Sequence, residues 1–295
     1  EVAIKVLMGE CDNRPRFDEI LSIAKSLKHP NIQRLFDYGI EGNIPYIVTE
    51  LVQGSTLRDT LSARRGGLEP NKTTDVMWQL AKALAYAHDK NIVHGHIIPA
   101  DIIMLSSGDP LLTGFGLTQA LRMQPSAWVQ AFLAPELAAG ASPNPKTDIY
   151  SLGAVFYTMA TGRAPFVGNG GEQNGQQDLQ EQPPTPPTQL GANISHQAEA
   201  VILWMLAKDP QMRPSAARKV LETLGTDPDE AKYVTFALKR AEAAQVRQDI
   251  RDAVAARQVT TEEPAQPEEA DDQPSRGGIL GWLRKLFGGG REPAS

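Results

Sequence analysis

Cysteine is all but missing from this chain: Cys11 stands alone among 295 residues. No intrachain disulfide can form, so packing must hold the fold, and a reducing, cytoplasmic setting is expected. Long apolar runs are missing too. No stretch reaches the about 18 residues that a membrane-spanning helix needs, and no secretory leader is visible. Positive charge is not in excess either. The formal net charge is -6, and Glu262, Glu263, Glu268, Glu269, Asp271 and Asp272 by themselves supply that many negatives. The remainder is close to neutral, which removes the electrostatic case for a nucleic-acid partner. There is no internal repeat. With 41% hydrophobic and 22% charged residues, the length suffices for a sizeable buried core.

What is present reads as an ordered series of elements. Val2 to Leu7 is β-rich, and Phe17, Ile20, Leu21, Ala24 and Leu27 have helical spacing. His29-Pro30 ends that helix, since the residue before proline avoids helical geometry. Ile32–Phe36 and Tyr46–Glu50 follow as strands. Asn71 to Lys90 is a strong helix, with Asn71 as its expected cap and Val76, Leu80, Leu84 and Ala87 on one side. Helices are also expected at Leu152–Ala160, Ser195–Ala207 and Ser215–Leu224, around a Gly/Gln/Pro-rich insert at 168–187. Residues 226–258 read as a polar helical extension and 259–278 as an acidic, proline-bearing linker. Ile279–Phe287 is a short amphipathic run suited to a peripheral membrane contact or a docking contact.

Within this frame lie several motifs: Glu1-Val2-Ala3-Ile4-Lys5, Asn91-Ile92-Val93-His94-Gly95-His96-Ile97-Ile98-Pro99-Ala100-Asp101-Ile102, Thr113-Gly114-Phe115-Gly116, Ala134-Pro135-Glu136, Asp148-Ile149-Tyr150-Ser151-Leu152-Gly153 and Lys208-Asp209-Pro210-Gln211-Met212-Arg213-Pro214. In this order and spacing they resemble the protein kinase superfamily over residues 1–225. Ala83-Leu84-Ala85-Tyr86-Ala87-His88 gives the resemblance a bacterial serine/threonine kinase character. The resemblance implies an α+β, two-lobed fold, with residues 1–52 as the remainder of a β-rich N-lobe and 53–225 as a helical C-lobe. It also implies two further strands and a Gly-rich phosphate loop upstream of Glu1.

The same resemblance assigns roles. Lys5 would grip the α/β-phosphates of ATP, Ala3 and Ile103 would form the roof and floor of the adenine site, and Thr49, Glu50 and Val52 the gatekeeper and hinge. His94 and Phe115 would belong to the regulatory spine with Leu35 and Ala24. Glu136 and Arg213 would form a buried ion pair, and Asp148 would hold the catalytic-loop backbone. Four positions depart from the pattern. His96 replaces the catalytic aspartate, Ile98 the catalytic-loop lysine, Asp101 the metal-binding asparagine and Gly114 the metal-binding aspartate of D-F-G. Gly114 offers magnesium no oxygen, which leaves Asp101 as a weak metal candidate. In addition, Ile20 falls where the lysine's glutamate partner belongs, beside Glu19 on a different helix face. These departures lead to the expectation of a pseudokinase and not an enzyme: a scaffold or allosteric partner for an active kinase or another signalling protein, binding ATP weakly and without magnesium. The alternative is a divergent active serine/threonine kinase transferring phosphate from ATP to protein.

Overall fold

A computed structural model describes residues 1–7, 11, 13–64, 66–121, 127–166 and 183–225. The extension at 226–258, the acidic linker at 259–278, the amphipathic run at 279–287 and most of the insert lie outside the described residues.

The N-terminal part is a three-stranded antiparallel sheet, ordered β1 (Val2–Val6), β3 (Ile44–Glu50), β2 (Leu35–Glu41), with one helix, α1 (Arg14–Lys25), packed on it. Along β3 burial alternates, and Pro45, Ile47 and Thr49 turn inward. That is the two-residue period of a half-buried strand. Phe17, Leu21 and Ala24 form the buried stripe of α1. The helix starts three residues before the expected Phe17. The Asn13 side chain accepts from the Arg16 N–H, and Pro15 suits a first turn whose N–H groups lack helical partners.

One expected strand moves. Ile32–Phe36 was read as a strand, yet pairing with β3 begins at Leu35. Ile32 instead makes an isolated parallel bridge to Leu112, and the Gln33 N–H donates to the Leu112 carbonyl at 2.9 Å. Residues 31–34 are thereby drawn toward the second sheet.

That second sheet comprises β4 (Gly54–Thr56), β5 (Ile102–Leu105) and β6 (Pro110–Leu112). It lies among the helices of the larger part, which are α2 (Leu57–Ser62), α3 (Pro70–Asp89), α4 (Leu117–Leu121), α5 (Ala127–Gln130), α6 (Pro135–Ala138), α7 (Pro145–Thr161), α8 (His196–Met205) and α9 (Ala217–Leu224). Helix α3 begins at Pro70, and Asn71 is not its cap: Glu69 holds that position without a side-chain bond. Proline at the first helical position supplies the helical φ instead. Helix α7 is buried from Thr147 to Ala160. A helix buried on all sides is a core pillar, and its apolar pattern is correspondingly broad. Asn144 caps it, and Gly162 closes it in the left-handed region at φ 74°.

Among the described residues no helix is long and apolar enough to cross a membrane. A small, antiparallel-sheet part followed by a helical part is the two-lobed α+β architecture expected from the sequence.

Candidate active site

The site is built around a buried carboxylate. Asp148, in the first turn of α7, accepts the backbone N–H groups of His94 and Gly95, both at 2.8 Å, and the His88 Nε2–H at 2.9 Å. A carboxylate with three donors is well compensated for its burial. It fixes the loop after α3 from below, while His94 Nε2 donates to the Thr113 carbonyl at 2.7 Å from above. The His94 ring also meets Phe115 edge-on at 4.8 Å. His94, Phe115 and Asp148 thus join the 91–102 loop to the Thr113-Gly114-Phe115-Gly116 turn. His88 was not singled out from the sequence; its place in the last turn of α3, one turn before the loop, was the signal available.

His96 and Asp101 face one another across that loop. His96 Nδ1 lies 3.9 Å from Asp101 Oδ2, and its buried Nε2 has no hydrogen-bond partner. Burial, with the neighbouring His94, pushes the His96 imidazole down to about 4. Burial pushes the Asp101 carboxyl up, opposed by the charges of His94 and Lys5. At neutral pH His96 is therefore uncharged, and its contact with Asp101 is dipolar, not ionic. Asp101 is anchored by its own backbone, whose carbonyl accepts the Thr113 N–H at 2.8 Å. Ile98 is buried and contributes only backbone groups: its N–H reaches Asp101 Oδ2 at 3.3 Å and its carbonyl accepts the Asp101 N–H at 2.9 Å.

Gly114 sits in the left-handed region at φ 85°, and a Cβ built there would stand 3.9 Å from Asp101 Oδ1. The turn thus places a residue beside Asp101 that carries no ligand atom. Lys5, exposed on β1, approaches closely enough for its charge to act on Asp101. On α1, Ile20 packs at the turn, its Cγ2 lying 2.7 Å from a Cβ built on Gly116, whereas Glu19 is exposed. The helix thus presents a methyl group, not a carboxylate, at this corner. Magnesium requires several hard oxygen ligands in near-octahedral array. Asp101 lies beside this turn, and among the described residues no group of three or more His, Cys, Asp or Glu could hold a metal. The residues do not fit a magnesium site of the usual kind.

Toward the other strand end, Ala3 lies directly opposite Thr49, and Val2 opposite Glu50, across β1 and β3. Ile103 of β5 stands opposite Thr56, and its Cγ2 comes within 2.7 Å of a Cβ built on Gly54. A glycine at 54 permits that approach. Between Glu50 and Gly54 the chain, including Val52, crosses from one sheet to the other without regular structure. Behind Thr49 is a cavity of about 20 Å³, lined by Ala24, Leu27, Gln33, Leu35, Ile47 and Phe115 among others. That is room for about one water. Gln33, overlooked in the sequence, donates from Nε2 to the Glu50 carbonyl at 2.9 Å.

Farther off, Arg213 is fully buried and spends all five of its N–H donors. Two go to Glu136 at 2.6 and 2.8 Å, and the others to the carbonyls of Ala207, Lys146 and Lys208 at 2.7, 3.1 and 2.9 Å. Its guanidinium also lies 4.8 Å from the centre of the Tyr150 ring. The pair clamps α6 to the segment before α9.

Comparison with known proteins bears on the lysine-bearing strand, the loop pinned by Asp148 and the Thr113-Gly114-Phe115-Gly116 turn. The protein kinase domain model matches residues 1–223. The chain belongs to the protein kinase family. This kinase domain is 32% identical over 257 residues to the serine/threonine-protein kinase PknB of Mycobacterium leprae, covering 80% of this chain and 41% of that relative. It is 34% identical over 254 residues to PrkC of Bacillus subtilis, covering 82% and 39%. With PknB of Mycobacterium tuberculosis it shares 31% over 258 residues, covering 80% and 41%. The kinase domain thus spans about two fifths of the length of the relatives it matches.

These comparisons correct one expectation. The four chemical departures were read as placing the chain outside the enzymes. Its relatives are named serine/threonine-protein kinases and its family model is the kinase domain itself, which points to an enzyme.

Proposed function

We propose that this chain is a divergent, slow serine/threonine protein kinase of bacterial type, transferring phosphate from ATP to a protein hydroxyl in the cytoplasm. The observation that carries the reading is the pinned catalytic loop. Asp148 holds the backbone of His94 and Gly95, and with it the loop on which the His96 ring lies 3.9 Å from Asp101, a carboxylate within reach of the Lys5 charge. ATP would lie with its base between Ala3 and Ile103 against Thr49, Glu50 and Val52, and its phosphates toward Lys5.

In the reaction the substrate hydroxyl oxygen bonds to the γ-phosphorus and the bond from that phosphorus to the bridging oxygen breaks. ADP leaves with the electron pair, and the hydroxyl proton passes to the His96 imidazole, whose side chain is partly exposed. A base held near 4 is weak, and Ile98 brings no charge to the γ-phosphate, so turnover is slow. Since Gly114 offers no ligand, nucleotide binding depends little on magnesium. Asp101, rather than acting as a lone metal ligand, keeps Lys5 and His96 in register. The protein partner is the phosphorylated substrate or a signalling protein that docks on the C-lobe, whose activation segment is anchored through Glu136 and Arg213.

The experiment is phosphate transfer from labelled ATP to the chain itself and to a generic protein substrate, with magnesium, with manganese and with EDTA. Incorporation is expected in the wild type and should fall at least tenfold in His96→Ala and in Lys5→Ala. No incorporation above a heat-inactivated control overturns the reading.

A further inference from the structure

The outer face of the N-terminal sheet is apolar and exposed. Of the eight large hydrophobic side chains exposed among the described residues, four lie there: Val2, Ile4 and Val6 on β1 and Ile44 on β3, each between 41% and 53% exposed. The register explains why they gather. Ile4 stands opposite Val48 and Val6 opposite Tyr46, and directly paired residues of an antiparallel sheet share a face, as do alternate residues along one strand. Ile44, Tyr46 and Val48 therefore continue the row begun on β1. Helix α1 packs on the other face, where Phe17 meets Tyr38 edge-on at 5.8 Å and the Tyr38 hydroxyl donates to the Asp18 carbonyl. The charged positions in register on the outer face are all acidic: Asp37 opposite Val48, Glu41 opposite Ile44 and Glu50 opposite Val2. Asp37 is engaged by Lys25 at 3.0 Å. Further strands would pair along the edge of β1 and widen the sheet without covering this face.

We infer that this face receives the chain's own segment 279–287, which lies outside the described residues. Its sequence complements the face in three respects. Ile279, Leu280, Leu283, Leu286 and Phe287 recur at helical spacing, an apolar stripe for an apolar sheet. As a helix that run rises about 12 Å, against about 13 Å from Val2 to Val6 along β1. Arg284 and Lys285 flank the stripe, so the segment is basic where the face is acidic. Nine residues set between Gly278 and Gly288 are too few for a stable helix by themselves, and a ready-made apolar surface supplies the packing they lack. Reach is not limiting. Residues 226–278 would span about 40 Å as a flexible coil, and a domain of this size has a radius of gyration of about 17 Å. Such a tether holds the segment near the sheet at an effective concentration on the order of millimolar. A segment seated there backs the strand whose opposite face carries Ala3 and Lys5.

Photocrosslinking of the full chain, with p-benzoylphenylalanine in place of Trp282, tests the contact directly. Irradiation should join position 282 to peptides containing β1 or β3 within one chain, with a yield that does not change on dilution. That yield should fall about fivefold or more in the double variant Arg284→Glu, Lys285→Glu, and Glu41→Arg should restore part of it. It should fall similarly in Ile4→Glu, and Leu283→Ser, which leaves the sheet untouched, serves if the Ile4 variant fails to fold. Links between chains that grow with concentration overturn the inference and make the face an interface between two copies. Links to other parts of the domain overturn it as well. So does the absence of links from a chain that sediments with phosphatidylserine vesicles, which would assign 279–287 to a lipid surface.

Discussion

Replacing Arg213 by alanine should unfold this domain early. The guanidinium is fully buried and donates to five acceptors, two of them the Glu136 carboxylate oxygens and three of them backbone carbonyls. Truncation leaves Glu136 unpaired with its side chain only 19% exposed, and strands the carbonyls of Ala207, Lys146 and Lys208. Breaking a buried pair by removing one partner costs about 3–5 kcal/mol. For a domain of this size each kcal/mol moves the melting temperature by about 2–4 °C, so Arg213→Ala should melt about 6–20 °C below wild type. Lysine at 213 keeps the charge but not the fork, and should recover only part of the loss. Differential scanning calorimetry at neutral pH reads all three proteins. A shift under about 2 °C for the alanine variant would show that the pair does not hold the C-lobe together.

Two further predictions concern the loop and the turn. His96 has its folded pKa near 4, below the ordinary 6.5, so between those values the unfolded chain binds the proton first and stability falls as pH drops. The decline from this group is about 3 kcal/mol across that window, and chemical denaturation of His96→Gln should show a flatter pH profile than wild type. Asp101, raised by burial, works in the opposite direction above the ordinary carboxylate value, so an equal profile in the variant would remove His96 as the source. Gly114→Asp places a carboxylate beside Asp101, at a strain cost of about 1–2 kcal/mol for a side chain at positive φ. That variant should acquire a magnesium-dependent thermal shift with ATP that the wild type lacks. The same shift in the wild type would mean that Asp101 already holds the metal.

How much of this could be read without coordinates follows from where each property resides. Local pattern carried the helices: the spacing in 71–90 and the run after Asp148 identified α3 and α7, because helical periodicity and capping are properties of neighbouring residues. The order of motifs carried the fold class, and the positions of Glu136, Asp148 and Arg213 anticipated the anchors that the structure joins. The chemical reading was the part that misled. His96 and Gly114, judged singly against a pattern, pointed away from an enzyme, whereas residues 1–223 match the protein kinase domain and the relatives are named kinases. Other features were decided only by tertiary structure. Strand β2 starts at Leu35 because Ile32 and Gln33 pair with Leu112, some eighty residues on, and no local propensity encodes that choice. Gln33 reaches the Glu50 carbonyl for the same reason. The opposite shifts of His96 and Asp101 likewise arise from burial, which His94 reinforces at His96 and which His94 and Lys5 oppose at Asp101, groups that only the folded chain brings within electrostatic reach. Periodicity is written along the sequence, but desolvation and long-range pairing exist only once distant segments meet.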